Sequence, residues 1–168
     1  MRHWPIPLQS AVLRLGLLAV AVALGAPPQA QASVKISSCS VTTPPTLVFI
    51  TDLLGSLTSA TSFKVSCSTF GSGGTASFTI ALSAGNGTVA QRKQKKSTTD
   101  LTYNLYLDAS RATVWGDGTT GTVYTQAISS DISNQSITIY GLIDSSAANK
   151  ADAPGIYTDP TITLTVGW

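Results

Sequence analysis

The sequence predicts an all-β domain, a sandwich of two antiparallel sheets. Three observations predict it. Apolar and polar residues alternate with a period of two in run after run, the pattern of half-buried strands. Turn-forming clusters separate those runs: "GSGG", "GNG", "GDGTTG", "SSAAN" and "DAPG". Charged residues are only 11% of the chain, and Thr, Ser, Gly and Val outnumber the good helix formers. No stretch sustains a helical period.

The segments follow in chain order. "MRHWPIPLQSAVLR" is a basic start with Arg2 and Arg14, "LGLLAVAVAL" (15–24) is an apolar run, and "AQA" (30–32) is a small-x-small site. That is the pattern of a secretory signal peptide over 1–32, with an apolar run too short to span a bilayer. Cleavage is expected before Ser33. The alternative cut, after Ala26, would put Pro27 beside the scissile bond. The rest, 33–168, suits one domain with its own core, and it shows no internal boundary or repeat.

"SVKIS" puts Val34 and Ile36 on one face, and "TLVFI" (46–50) is a short apolar strand after Pro44-Pro45. "TSFKVSC" turns Phe63, Val65 and Cys67 inward; "SFTIAL" does the same with Phe78, Ile80 and Leu82. "LTYNLYL" lines up Leu101, Tyr103, Leu105 and Leu107, and "SITIYG" lines up Ile137 and Ile139. "TITLTVGW" turns Ile162, Leu164 and Val166 inward and its threonines outward. Apolar strands near a chain end pair either with a sheet edge of their own domain or with one in another molecule.

Composition narrows function. Two of the ten basic residues, Arg2 and Arg14, leave with the signal, so eight Lys+Arg face eight Asp, and there is no Glu. A formal charge near zero argues against nucleic acid or an anionic membrane as partner. The single histidine, His3, is in the signal, so a Ser-His-Asp or Cys-His arrangement has no base. The aspartates sit mostly in turn contexts, where they bond backbone. We expect no enzymatic chemistry, no metal and no cofactor. Cys39 and Cys67 are the only cysteines, and an exported chain meets an oxidising compartment, so a disulfide is expected. It would contribute about 3–4 kcal/mol in the chain-entropy model.

Three motifs keep two readings each. Trp115-Gly116-Asp117-Gly118 reads as a tight turn or as a calcium loop with a single carboxylate. Trp115 and the tyrosines Tyr103, Tyr106, Tyr124, Tyr140 and Tyr157 read as packing residues or as a sugar platform. "RKQKK" (92–96) reads as a solvated polar loop between strands or as a polyanion patch.

The segment "LTYNLYLDASRATVWGDGT" (101–119) resembles the most characteristic stretch of the spore coat protein U domain family, which includes subunits of archaic, Csu-type chaperone–usher pili. The matching residues are Leu101, Tyr103, Leu105, Tyr106, Asp108 and Trp115 to Gly118. "PGIYTDPTITLTVGW" is similar to the family's closing element, and Cys39 and Cys67 match its early cysteine pair. The resemblance implies an immunoglobulin-like antiparallel sandwich that lacks its last strand and is completed by a donor strand. It implies an exported structural subunit of a surface fibre. A periplasmic chaperone and an outer-membrane usher would be transit partners, and related subunits the fibre partners. On this resemblance 33–38 is the candidate donor strand, with Val34 and Ile36 as donor residues, and Ile162, Leu164 and Val166 line the acceptor groove. The alternative is a tip adhesin or glycan-binding module on the same fold, with a surface receptor. Three features depart from the family pattern: the segment before Cys39 is short, Phe49-Ile50 stands where Phe-Gly is usual in the first core strand, and Arg92-Lys93-Gln94 stands where Arg-x-Met is usual.

Overall fold

The computed structural model describes residues 33–42, 49–51, 57–96, 99–143 and 155–168. The expected signal peptide and the "SSAAN" turn lie outside them. The described strands are β1 (Lys35–Val41), β2 (Phe49–Thr51), β3 (Leu57–Phe70), β4 (Ala76–Leu82) and β5 (Arg92–Lys96) in the first half. They continue as β6 (Thr99–Tyr106), β7 (Tyr124–Ile128), β8 (Ile132–Ile143), β9 (Gly155–Tyr157) and β10 (Leu164–Gly167). A five-stranded sheet runs β1-β3-β8-β6-β5 and a three-stranded sheet runs β10-β4-β7. Every neighbouring pair is antiparallel, and β2 and β9 form a short pair of their own. The two sheets pack as an immunoglobulin-like sandwich.

Period-two patterning builds the core directly. Phe63, Val65 and Cys67 of β3 are buried, and so are Phe78, Ile80 and Leu82 of β4. Leu101, Tyr103 and Leu105 of β6 meet Ile137, Ile139 and Ile143 of β8 in the same cluster. Each such side chain contributes roughly 1.5–3 kcal/mol when fully buried. The β3–β8 ladder runs from Leu57↔Ile143 to Cys67↔Ile132, with a bulge between Val65 and Cys67. At that bulge the Ser66 hydroxyl accepts the N–H of Asn134, whose φ is +54°. Asparagine tolerates that left-handed backbone better than most residues.

Cys39 and Cys67 face each other across the β1–β3 ladder and form a disulfide, 28 residues apart in sequence. Cys39→Ala/Cys67→Ala is expected to lose about 3–4 kcal/mol, measured as a fall in the denaturation midpoint. Wild type under reductant should fall equally.

Two expectations are corrected. The final strand is shorter than its alternation suggests. Asp159 accepts the N–H and the hydroxyl of Thr161 at 3.1 and 2.6 Å, holding that residue in a turn, so the ladder with β4 starts only at Leu164. "RKQKK" is not a solvated loop but strand β5, paired with β6 from Arg92↔Tyr103 to Lys96↔Thr99. Lys93 and Lys95 turn outward, while Arg92 and Gln94 are 0% and 1% exposed. The alternation is regular, but its inward residues are polar.

Gln94 is strained chemically. Its Oε1 is buried with no hydrogen-bond partner. An unsatisfied buried acceptor costs about 1–3 kcal/mol. Gln94→Met keeps the length of the side chain and removes the orphan, so it is expected to stabilise the domain by about 1 kcal/mol. Thermal unfolding checks it, and a lower midpoint would contradict it.

Candidate functional site

The site is an open edge. β10 pairs with β4 from Leu164↔Leu82 to Gly167↔Thr79, and no described strand pairs with its other side. β1 is likewise the edge of the five-stranded sheet. The inward side chains of both strands touch the core without being covered by it. Ile36, Cys39 and Val41 of β1, and Ile162, Leu164 and Val166 at β10, are all half-buried. In the middle of the interior strands the corresponding residues, such as Phe63, Ile80, Leu101 and Ile139, are buried. An apolar row left half-open beside unpaired backbone is a template for one more strand.

The sequence places two groups of residues here, and they lie differently. Ile162, Leu164 and Val166 stand along the open edge. Val34 and Ile36, expected as donor residues, are built into their own domain. Val34 is 6% exposed and its N–H bonds the Gly73 carbonyl at 3.0 Å, while Ile36 pairs with Thr69 of β3. The exposed large hydrophobics, Phe70 and Trp168, end β3 and follow β10.

Asp159 fixes the approach to β10. Its carboxylate accepts the Tyr103 hydroxyl at 2.9 Å and, besides Thr161, the backbone N–H and side-chain amide of Asn86 at 3.3 and 3.2 Å. Burial, then the Asp159 charge and hydrogen bond, push the Tyr103 phenol well above its ordinary value. The "YTDPT" stretch is thereby pinned to β6.

The Trp115–Gly118 segment is a turn built around a buried indole. Trp115 is fully buried, donates from Nε1 to the Ile80 carbonyl at 2.8 Å, and packs its ring near Phe63 and Tyr124. Trp115 itself therefore presents no face to a sugar. The Asp117 carboxylate is occupied by the N–H groups of Thr119 and Thr120 at 2.9 and 2.7 Å, an Asx-type turn. Gly118 and Gly121 sit at φ +89° and +73°, where a side chain is disfavoured.

A model of the Spore Coat Protein U domain matches residues 26–165. The chain belongs to the Spore Coat Protein U domain family. No curated protein matches it at a significant level. Spore Coat Protein U domains are structural components of pili and coats rather than enzymes, and they occur in subunits of chaperone–usher pili at the cell surface.

In this Spore Coat Protein U domain, sequence reasoning missed the residue that joins the Trp115 turn to the end of β4, the strand on which β10 pairs. Arg92 uses all five guanidinium N–H donors inside the protein. Nε donates to Ser83 O at 2.9 Å, and Nη1 to Val89 O and Asn104 Oδ1 at 3.3 and 2.7 Å. Nη2 donates to Leu82 O and Trp115 O at 3.4 and 2.8 Å. Burial lowers its pKa, and the fields of Tyr103, Asp159 and Asp117 oppose that. Arginine stays charged regardless. The available signal was a strand period in "RKQKK" with the long, fork-shaped donor at an inward position.

The domain's acid response follows from three surface carboxylates held below the usual range. Hydrogen bonds do this: Ser110, Ala112 and Thr113 at Asp108, the Thr120 and Thr119 N–H groups at Asp117, and Thr69 at Asp131. A depressed folded pKa means stability that is present above the unfolded value of about 3.9 and lost as pH falls through the folded one. The unfolding midpoint is expected to hold near neutrality and to drop below about pH 4. A midpoint unchanged down to about pH 2 would contradict this.

Proposed function

We propose that this chain is an exported structural subunit of a surface fibre, whose sandwich is completed by a strand from a neighbouring molecule laid along the outer edge of β10. On this reading residues 1–32 direct export and are removed. A periplasmic chaperone covers the edge in transit, an outer-membrane usher exchanges it for the next subunit, and the subunit ends at the cell surface. The observation that carries the reading is the half-open row Ile162, Leu164 and Val166 beside the unpaired side of β10. Main-chain bonds to that side supply affinity, and alternate apolar side chains filling the row supply specificity. Each such side chain, fully buried, is worth roughly 1.5–3 kcal/mol.

The test is thermal unfolding of the oxidised chain with the peptide Thr-Val-Thr-Ile-Thr-Val-Thr-Ile-Thr. The midpoint is expected to rise with peptide concentration, as for any ligand that binds only the folded state. A control peptide with Asp at the four apolar positions should do nothing, and Leu164→Lys should abolish the rise. A midpoint indifferent to the alternating peptide would overturn the reading.

A further inference from the structure

We propose that this chain accepts a donor strand but supplies none, and so stands at one end of a fibre with a single neighbour. The inference rests on the strand-completion reading above and deepens it by naming the partner. It has three supports.

First, the earliest described residues are committed to their own sheet. Val34 is buried and bonded to Gly73, and β1 pairs with β3 from Lys35↔Phe70 to Val41↔Val65. Cys39 is tied covalently to Cys67 in the middle of that ladder. A donor arm must leave its own domain, and this segment leaves only by uncovering the β3 edge and Val34.

Second, the segment between the apolar run and Val34 cannot replace it. Between the apolar run ending at Leu24 and Val34 the sequence reads "GAPPQAQAS". It has no apolar side chain larger than alanine or proline, and its two prolines lack the N–H that a ladder needs. Strand addition requires alternating large side chains for the pockets. Whether processing falls before Ser33 or after Ala26, the arm offers none.

Third, the acceptor side is intact. The outer side of β10 is unpaired among the described residues, and its apolar row is half-exposed. Head-to-tail contacts propagate only when each copy carries both halves of the contact. A chain with the acceptor half alone terminates the series. Its neighbour is therefore not a second copy but a different subunit, whose arm is an extended segment with alternating Val, Ile, Leu or Phe.

The experiment compares the processed, oxidised chain with a graft carrying Thr-Val-Thr-Ile-Thr-Val-Thr-Ile-Thr and a short Gly-Ser spacer ahead of Ser33. Both are run on unheated denaturing gels and by light scattering after size exclusion, over rising concentration. The native chain is expected to stay monomeric and to gain thermal stability from the same peptide added in trans, while the graft forms ladders. Ladders from the native chain would overturn this inference and leave strand completion standing. No stabilisation by the peptide, with a monomeric graft, would overturn both. If the graft does not fold, the native chain with free peptide decides: stabilised and monomeric supports the inference, polymeric refutes it.

Discussion

Arg92→Met is expected to remove most of the domain's stability. The substitution leaves three buried carbonyl oxygens, of Leu82, Val89 and Trp115, and the part-buried one of Ser83 short of the Arg92 donor each has now, while the Asn104 amide oxygen keeps the Leu105 N–H. Abandoning a buried acceptor costs about 1–3 kcal/mol. Several at once approach the 5–15 kcal/mol by which a domain of this size is stable. The damage would spread, because Arg92 joins the end of β4, the following loop, β6 and the Trp115 turn in one network. Arg92→Lys should rescue little, since an ammonium offers three donors in no fixed fork against five in a plane. Denaturant titration of both variants checks this. A methionine variant unfolding at the wild-type midpoint would show that the network is decoration.

Trp115→Ala is the second large effect. It empties a site lined by Phe63 and Tyr124, whose ring centroids lie 6.2 and 5.9 Å from the indole. Truncating a buried aromatic to alanine costs about 3–5 kcal/mol through lost transfer energy and the cavity left behind. Trp115→Phe separates the contributions. It refills part of the volume but drops the Nε1 bond to Ile80, so it should lose about half as much. Gly116→Ala attacks the same turn differently: its methyl would overlap the Thr120 carbonyl oxygen, so destabilisation is expected with the indole untouched. If the turn served a ligand rather than the fold, all three variants would keep wild-type midpoints.

The contrast between strands shows how much of this was legible in the sequence. Where the inward residues are apolar, as in β3, β4, β6 and β8, alternation disclosed both the strand and the buried face. The cysteine pair was legible because the export expected from the first 32 residues, with no other ligand beside the cysteines, left one chemistry. β5 was hidden by its own composition. Four cations and a glutamine read as solvent-facing, and only the packing of Arg92 against carbonyls 3 to 23 residues away makes the strand intelligible. β7 was hidden too, since "YTQAI" presents only Ile128 to the core as a buried residue. The open edge was half legible. The row Ile162, Leu164 and Val166 could be named from alternation, but that β10 lacks a second neighbour is a property of topology. The donor expectation for Val34 and Ile36 came from the family resemblance, and a short alternating strand looks the same whether it pairs with its own sheet or another molecule's. Here it pairs with β3, and a disulfide holds it there.

The central claim is that the outer side of β10 is an acceptor for a foreign strand. Amide hydrogen exchange on the oxidised chain, with and without the alternating peptide, tests it most directly. The account predicts that β10 amides not bonded to β4 exchange quickly in the isolated chain and become protected when the peptide is present, with β7 and β5 unchanged. Protection appearing on those other edges, or none on β10, would contradict it.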